Sequence, residues 1–165
     1  MRLKLVKIDE YTGNKATIYS LLIEAEEITL YERFIQENWK DYLSELQDIR
    51  VRLLNIGHRY GARFQFFKEH EGKAGDMVCA LFDLPEKKLR LYCIRLGSVV
   101  VIIGGGGEKN VKTLQDDDKL TSENYLLRHI SAELYQRLLD KDIKWSADGM
   151  ELLGDLNFEY DETDE

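Results

Sequence analysis

The chain has 165 residues, the size of a single domain, and carries 23 Lys and Arg against 31 Asp and Glu, a net charge of −8 at pH 7. An apolar fraction of 44% and a charged fraction of 33% belong to a folded core, and two cysteines are too few for a disulfide scaffold, so a wholly disordered chain and a small disulfide-held fold are both excluded. No apolar run approaches the ~20 residues that span a bilayer, and the start MRLKLVKIDEYTG lacks a signal-peptide apolar block, so a cytoplasmic protein is expected.

In chain order, residues 1–8 (MRLKLVKI) read as a short strand with Leu3 and Leu5 on one face. Residues 16–24 (ATIYSLLIE) read as a second strand, joined to the first by a turn over 11–15 that contains Gly13-Asn14. Thr29 followed by Glu32 is a capping-box pair, which opens a helix running to about Glu37. A second helix is predicted over 39–56, because Tyr42, Leu46, Ile49 and Leu53 recur at spacings of four, three and four. ARFQFFKEHEGKAGD then reads as a loop with one short element.

Strands are predicted over 77–84, 89–96 and 98–103, the last two joined at Gly97-Ser98 as an antiparallel hairpin. The run VVVII is apolar at every position, the pattern of a central strand covered on both faces. Gly104–Gly107 follow it and read as a flexible strand exit, with a phosphate cradle of backbone amides as the alternative. A helix is predicted over 122–140 with Leu127, Ile130, Leu134 and Leu138 as its stripe. The expected class is α+β: a mostly antiparallel sheet with a helical pair on one side, over residues 1–142, and an acidic C-terminal extension over 143–165.

Charge divides the chain. Residues 115–165 hold 15 acids and 5 bases, net −10, whereas residues 1–114 hold 16 acids and 18 bases, net +2. Body and tail can therefore meet different partners. Trp145, Met150, Leu152, Leu153, Leu156, Phe158 and Tyr160 make the acidic end too apolar for a pure spacer, which points to its docking on something. Cys79, Cys93 and the scattered His58, His70 and His129 have no metal-ligand spacing, and the two thiols are expected to be buried and reduced.

The segment KLRLYCIRLGSVVVIIGGGGEKNVK is an Arg-bearing strand, a two-residue turn, an apolar strand and a glycine-rich end running into lysines. With the helical pair before it and a helix after it, this order resembles the RelE/HigB-type toxins of bacterial toxin–antitoxin pairs, within the wider group that includes ParE. The family pattern of an L-x-E-L strand, R-x-x-Y, an apolar strand and G-F-x-K-K has its counterparts in ALFDL (80–84), Arg90 with Tyr92, Val99–Ile103 and GGGGEK (104–109). The FFKEHEG stretch is similar to the linker that leads into the sheet of HigB-like members. The resemblance spans roughly residues 16–140.

The resemblance implies a toxin that cleaves mRNA, often on the ribosome, with a cognate antitoxin protein as partner and with neither metal nor cofactor. In that chemistry the ribose 2′-OH attacks the adjacent phosphorus and leaves a cyclic phosphate. A base takes the 2′ proton, cations hold the extra phosphate charge and an acid protonates the leaving oxygen. Residues 86–112 carry Lys87, Lys88, Arg90, Arg95, Lys109 and Lys112 against Glu86 and Glu108, net +4, where the family places its site. The expected catalytic residues are Arg90 for phosphate charge and Lys87 or Lys88 as base. Tyr92, Arg95, Lys109 and Lys112 are expected to bind RNA.

Strand parity puts Leu89, Leu91, Cys93 and Arg95 on one face and Arg90, Tyr92, Ile94 and Leu96 on the other, so Arg90 and Arg95 share a site only across a bulge. The Phe after the glycine and the doubled lysine of the family are absent, with Glu108-Lys109 in their place, and the chain is acidic where the family is basic. The alternative is a toxin-fold protein without nuclease activity that acts through protein partners, with the acidic tail as a regulatory arm.

Overall fold

The computed structural model describes residues 1–68, 77–109 and 118–161. Strands β1 (Arg2–Lys7), β2 (Thr17–Ile23) and β3 (Ile28–Thr29) lead into helix α1 (Leu30–Asn55). Then come β4 (Phe67–Lys68), β5 (Val78–Leu81), β6 (Leu89–Leu96), β7 (Val100–Glu108), α2 (Asp118–Asp140), β8 (Ile143–Trp145), β9 (Leu152–Gly154) and β10 (Asn157–Glu159). The main sheet runs β10-β1-β2-β7-β6-β5-β4, with β3 beside β2; β2 and β7 are parallel and every other pair is antiparallel. The α+β class holds, with a mixed, mostly antiparallel sheet and two helices. None of the helices among the described residues is long and apolar enough to cross a membrane.

The two helices predicted over 29–56 are one element that breaks at Tyr42, whose φ of −133° and ψ of 33° leave the helical region. Its start is the capping box expected from Thr29 and Glu32: the Glu32 N–H donates to Thr29 Oγ1 at 3.0 Å, and the Thr29 N–H donates back to Glu32 at 3.2 Å. Both halves cover one face of the sheet, where Tyr31, Phe34, Leu46, Ile49 and Leu53 join Ile18, Leu91, Cys93 and Ile103. α2 covers the other face, where Leu127, Ile130 and Leu134 meet Leu21, Ile94 and Ile102. Successive β7 residues feed opposite clusters, so Val100–Ile103 are fully buried, as expected of a central strand.

Gly104–Gly107 are not a strand exit; they continue β7, paired to β6 through Leu91↔Gly106 and Arg90↔Gly107. The lack of side chains lets α2 lie directly on the backbone. A Cβ on Gly104 would stand 2.9 Å from Leu127, and one on Gly105 would stand 2.2 Å from the Glu123 carboxylate. Glu123 is buried there, accepting from Arg33 of α1 at 2.6 Å and from Lys119 at 2.8 Å, which ties the two helices together at the glycine end of β7. Pairing of β6 with β7 slips between Leu91 and Cys93, a bulge opposite the glycine run.

Residues 143–161 are built into the fold. β8 and β9 form a two-stranded hairpin, and β10 adds to β1 as the last strand of the main sheet. Ile143, Leu152, Phe158 and Tyr160 are buried in the cluster under α2, and the Met1 ammonium donates to the Tyr160 carbonyl at 2.8 Å. Acids of this stretch pair locally: Glu151 with Lys7, Glu159 with Arg2 and Asp155 with Arg137.

Cys79 and Cys93 face each other in register across β5 and β6, both fully buried and free. Burial pushes the Cys93 thiol up to about 12 from its ordinary 9.0. The folded thiol stays neutral where the unfolded one ionises, so its contribution to stability is whole below pH 9 and is lost as the pH climbs toward 12. In native buffer at pH 8 both thiols are expected to react with an aromatic disulfide reagent only as fast as the protein opens. Immediate release of the chromophore without denaturant would contradict this.

Candidate nucleic-acid interface

The cations predicted at the hairpin separate by strand face, as parity requires. Arg95 lies on the α1 face, where its Nε donates to the Ala62 carbonyl at 2.6 Å and its guanidinium stands 5.8 Å from the centre of the Phe67 ring. Tyr92 lies on the α2 face, is 5% exposed and is part of the core with Val78, Ala80 and Ile94. Arg90 precedes it on the same face. Lys88 is exposed, with its backbone N–H donating to Glu45 at 2.8 Å, and Lys112 lies outside the described residues.

What draws several of these cations together is a residue that sequence reading placed in a motif strand without giving it a role. Asp83 follows β5 at the strand end, with a side chain only 4% exposed. Lys109, entering from the end of β7, forms a close ion pair with it and also donates to the Leu84 carbonyl at 2.9 Å. Arg90 reaches the same carboxylate at 3.7 Å from β6, and Lys68 reaches it at 3.6 Å from β4. Of the predicted residues, then, Arg90 and Lys109 are brought to one point, and Lys68 joins them unforeseen. The four groups sum to +2 in a partly dehydrated setting, where Coulomb interactions are stronger than in bulk water.

Asp83 also lines a cleft of about 260 Å³ together with Asp48, Arg52, Phe82, Leu84 and Lys87. Arg52 donates to the Phe82 carbonyl and pairs with Asp48 at 3.5 Å. Lys87 is therefore the predicted base that reaches this cleft, through the turn in which its N–H donates to the Leu84 carbonyl at 3.0 Å. Phe82 and Leu84 remain exposed on the rim. Tyr42, at the break in α1, hydrogen-bonds Glu108 next to Lys109; burial first, and then that bond, push its hydroxyl up. The cleft itself is lined by Arg52 and Lys87 against Asp48 and Asp83, with Phe82 as an aromatic wall, and the cations that converge on Asp83 stand beside it. Among the described residues no group of His, Cys, Asp and Glu is arranged to hold a metal ion.

A second surface went unread as a site. Between α1 and β4 the sequence GHRYGARFQFFK interleaves aromatic and cationic residues without one acid. That alternation is the signal that could have found it. No family model, no curated protein and no solved structure matches this chain.

Proposed function

We propose that this chain is an RNA-directed protein of the toxin type, which cleaves mRNA without a metal and is held in check by a cognate antitoxin protein. The observation that carries the reading is the convergence of Arg90, Lys109 and Lys68 on the buried Asp83 beside a cleft that Lys87 and Phe82 line. A phosphodiester brings one negative charge, and a second develops as the 2′ oxygen attacks. Arg90 and Lys109, pre-oriented by Asp83, meet that charge with little reorganisation, and Lys87 stands where it can take the 2′ proton.

The test is inducible expression of the wild type, Arg90→Ala and Lys87→Ala, with growth and total RNA followed over time. The wild type is expected to arrest growth and fragment RNA, and each variant to cut the cleavage rate by about a hundredfold or more. Among the described residues the Lys87 side chain has no partner, so the loss of activity in Lys87→Ala reports on chemistry rather than folding. Intact RNA alongside abundant soluble wild-type protein would refute the reading.

One observation favours the second reading, a partner-binding protein without nuclease activity: Trp39, Leu43 and Val51 stand exposed along α1, and Tyr125, Tyr135 and Leu139 along α2. On that reading growth arrest survives both substitutions and RNA stays whole. Glu159 and Asp155 of the C-terminal segment pair with Arg2 and Arg137 near the β10 edge, four strand spacings or roughly 19 Å from β6.

A further inference from the structure

Residues 58–68 (HRYGARFQFFK) carry Arg59, Arg63 and Lys68 and no Asp or Glu; the next acids in sequence, Glu69 and Glu71, lie outside the described residues. The segment is anchored from below. A π turn over Ile56–Tyr60 extends α1, the Gly61 N–H donates to the Ile56 carbonyl at 2.8 Å, and the Ala62 N–H donates to the Ser98 carbonyl at 2.8 Å. Gly61 takes φ +80°, which turns the chain outward, and Gly61 and Ala62 are buried.

Above this base Arg59, Tyr60, Arg63, Phe64 and Gln65 are exposed, whereas Phe67 is buried and Phe66 packs partly against the core. Phe64 is 69% exposed and Tyr60 41%. The Phe66 ring, partly buried against the core, lies 6.0 Å from that of Tyr60 at an interplanar angle of 31°. The Arg59 and Arg63 guanidinium groups lie over the Tyr60 ring, 5.5 and 5.9 Å from its centre, and Arg63 Nε donates to the Tyr60 carbonyl at 3.0 Å. An exposed phenylalanine forgoes the hydrophobic gain of burial. A protein partner would answer apolar rings with apolar side chains and leave Arg59 and Arg63 unmatched, Lys68 being paired with Asp83. A single nucleic-acid strand matches both, because it offers flat base faces beside a regular row of negative charge.

We infer that residues 58–68 form a stacking platform for two or three unpaired bases of a single-stranded nucleic acid, with its phosphates running past Arg59, Arg63 and Lys68. The platform adjoins the cleft: the Phe82 N–H donates to the Phe66 carbonyl at 2.7 Å, and Lys68 reaches Asp83. The inference rests on the preceding reading only for the direction in which the strand continues. A duplex is excluded as a ligand of this surface because its base faces are already stacked on one another.

The measurement is fluorescence anisotropy with a labelled 12-nucleotide strand of mixed, non-self-complementary sequence, presented as 2′-O-methyl RNA, which resists cleavage, as DNA, and as the corresponding duplex. Wild-type protein is expected to bind both single strands and to bind the duplex at least tenfold more weakly. Equal affinity for the two single strands assigns recognition to bases and phosphates, and a preference for RNA assigns an added contact to the 2′ oxygen. Phe64→Ala, at a largely exposed position, should weaken binding about tenfold or more. Arg63→Ala should weaken it and flatten the salt dependence, whose wild-type logarithmic slope is about −2 for three phosphates.

The inference falls if Phe64→Ala and Arg63→Ala bind like wild type, if the duplex binds as well as the single strand, or if no strand binds at all, the result expected of a protein-docking face. Binding that Phe64→Ala abolishes, in a protein that leaves RNA uncut, keeps the platform and removes the ribonuclease reading instead.

Discussion

Asp83→Ala is expected to destabilise the protein by about 3 kcal/mol or more, since removing one member of a buried ion cluster strands its partners. Asp83 has almost no exposed side-chain surface, and Lys109 and Arg90 are themselves only 14% and 20% exposed. Without the carboxylate, two cations converge from the ends of β6 and β7 with nothing between them but repulsion. Asp83→Asn keeps the shape and an acceptor oxygen but loses the charge, so it should fall between wild type and alanine. Denaturant titration measures both, and equal midpoints for all three proteins would show that the cluster contributes nothing net. The same substitutions bear on function. If Asp83 only pre-orients Arg90 and Lys109, Asp83→Asn should leave RNA affinity equal or higher while slowing cleavage.

The glycine strand gives the second large effect. A Cβ at Gly106 would stand 1.9 Å from the Arg90 carbonyl oxygen, a backbone atom of the paired strand, and no side-chain motion relieves that clash. Gly106→Ala should cost about 3 kcal/mol or more, because β6 and β7 must move apart beside the bulge. At Gly107 the nearest atom is the Lys119 Cγ at 3.1 Å, on a flexible side chain, so Gly107→Ala should cost little. Gly105→Ala falls between, because its neighbour, the Glu123 carboxylate, can shift only by loosening Arg33 and Lys119. In an unconstrained strand alanine would stabilise by restricting the unfolded chain, so the sign of each change separates close approach from mere composition. Thermal melts of the three single variants rank them, and a Gly106→Ala melt at the wild-type temperature would contradict the packing described.

Much of the architecture is legible along the chain because its causes are local. The Thr29–Glu32 box, the stripes of both helices, the turn at Gly97 and the double burial of Val100–Ile103 act over a few residues and appear where periodicity puts them. Parity likewise separates Arg90 from Arg95 before any coordinates. The glycine run misleads for an equally physical reason. Glycine weakens a strand in isolation, and only the arrival of α2 on its bare backbone makes its presence favourable.

Taken alone, then, the amino-acid order determined where helices and strands begin, which of their faces are apolar, and that cations gather near the central hairpin, since each follows from side-chain chemistry repeated at short range. Only the tertiary structure decided which charges meet. Asp83 collects partners from positions 68, 90 and 109, Tyr92 turns inward as core, and the acidic C-terminal stretch closes the sheet against residue 1. Such pairings join groups far apart in the chain and depend on strand order and burial, quantities that no local pattern carries.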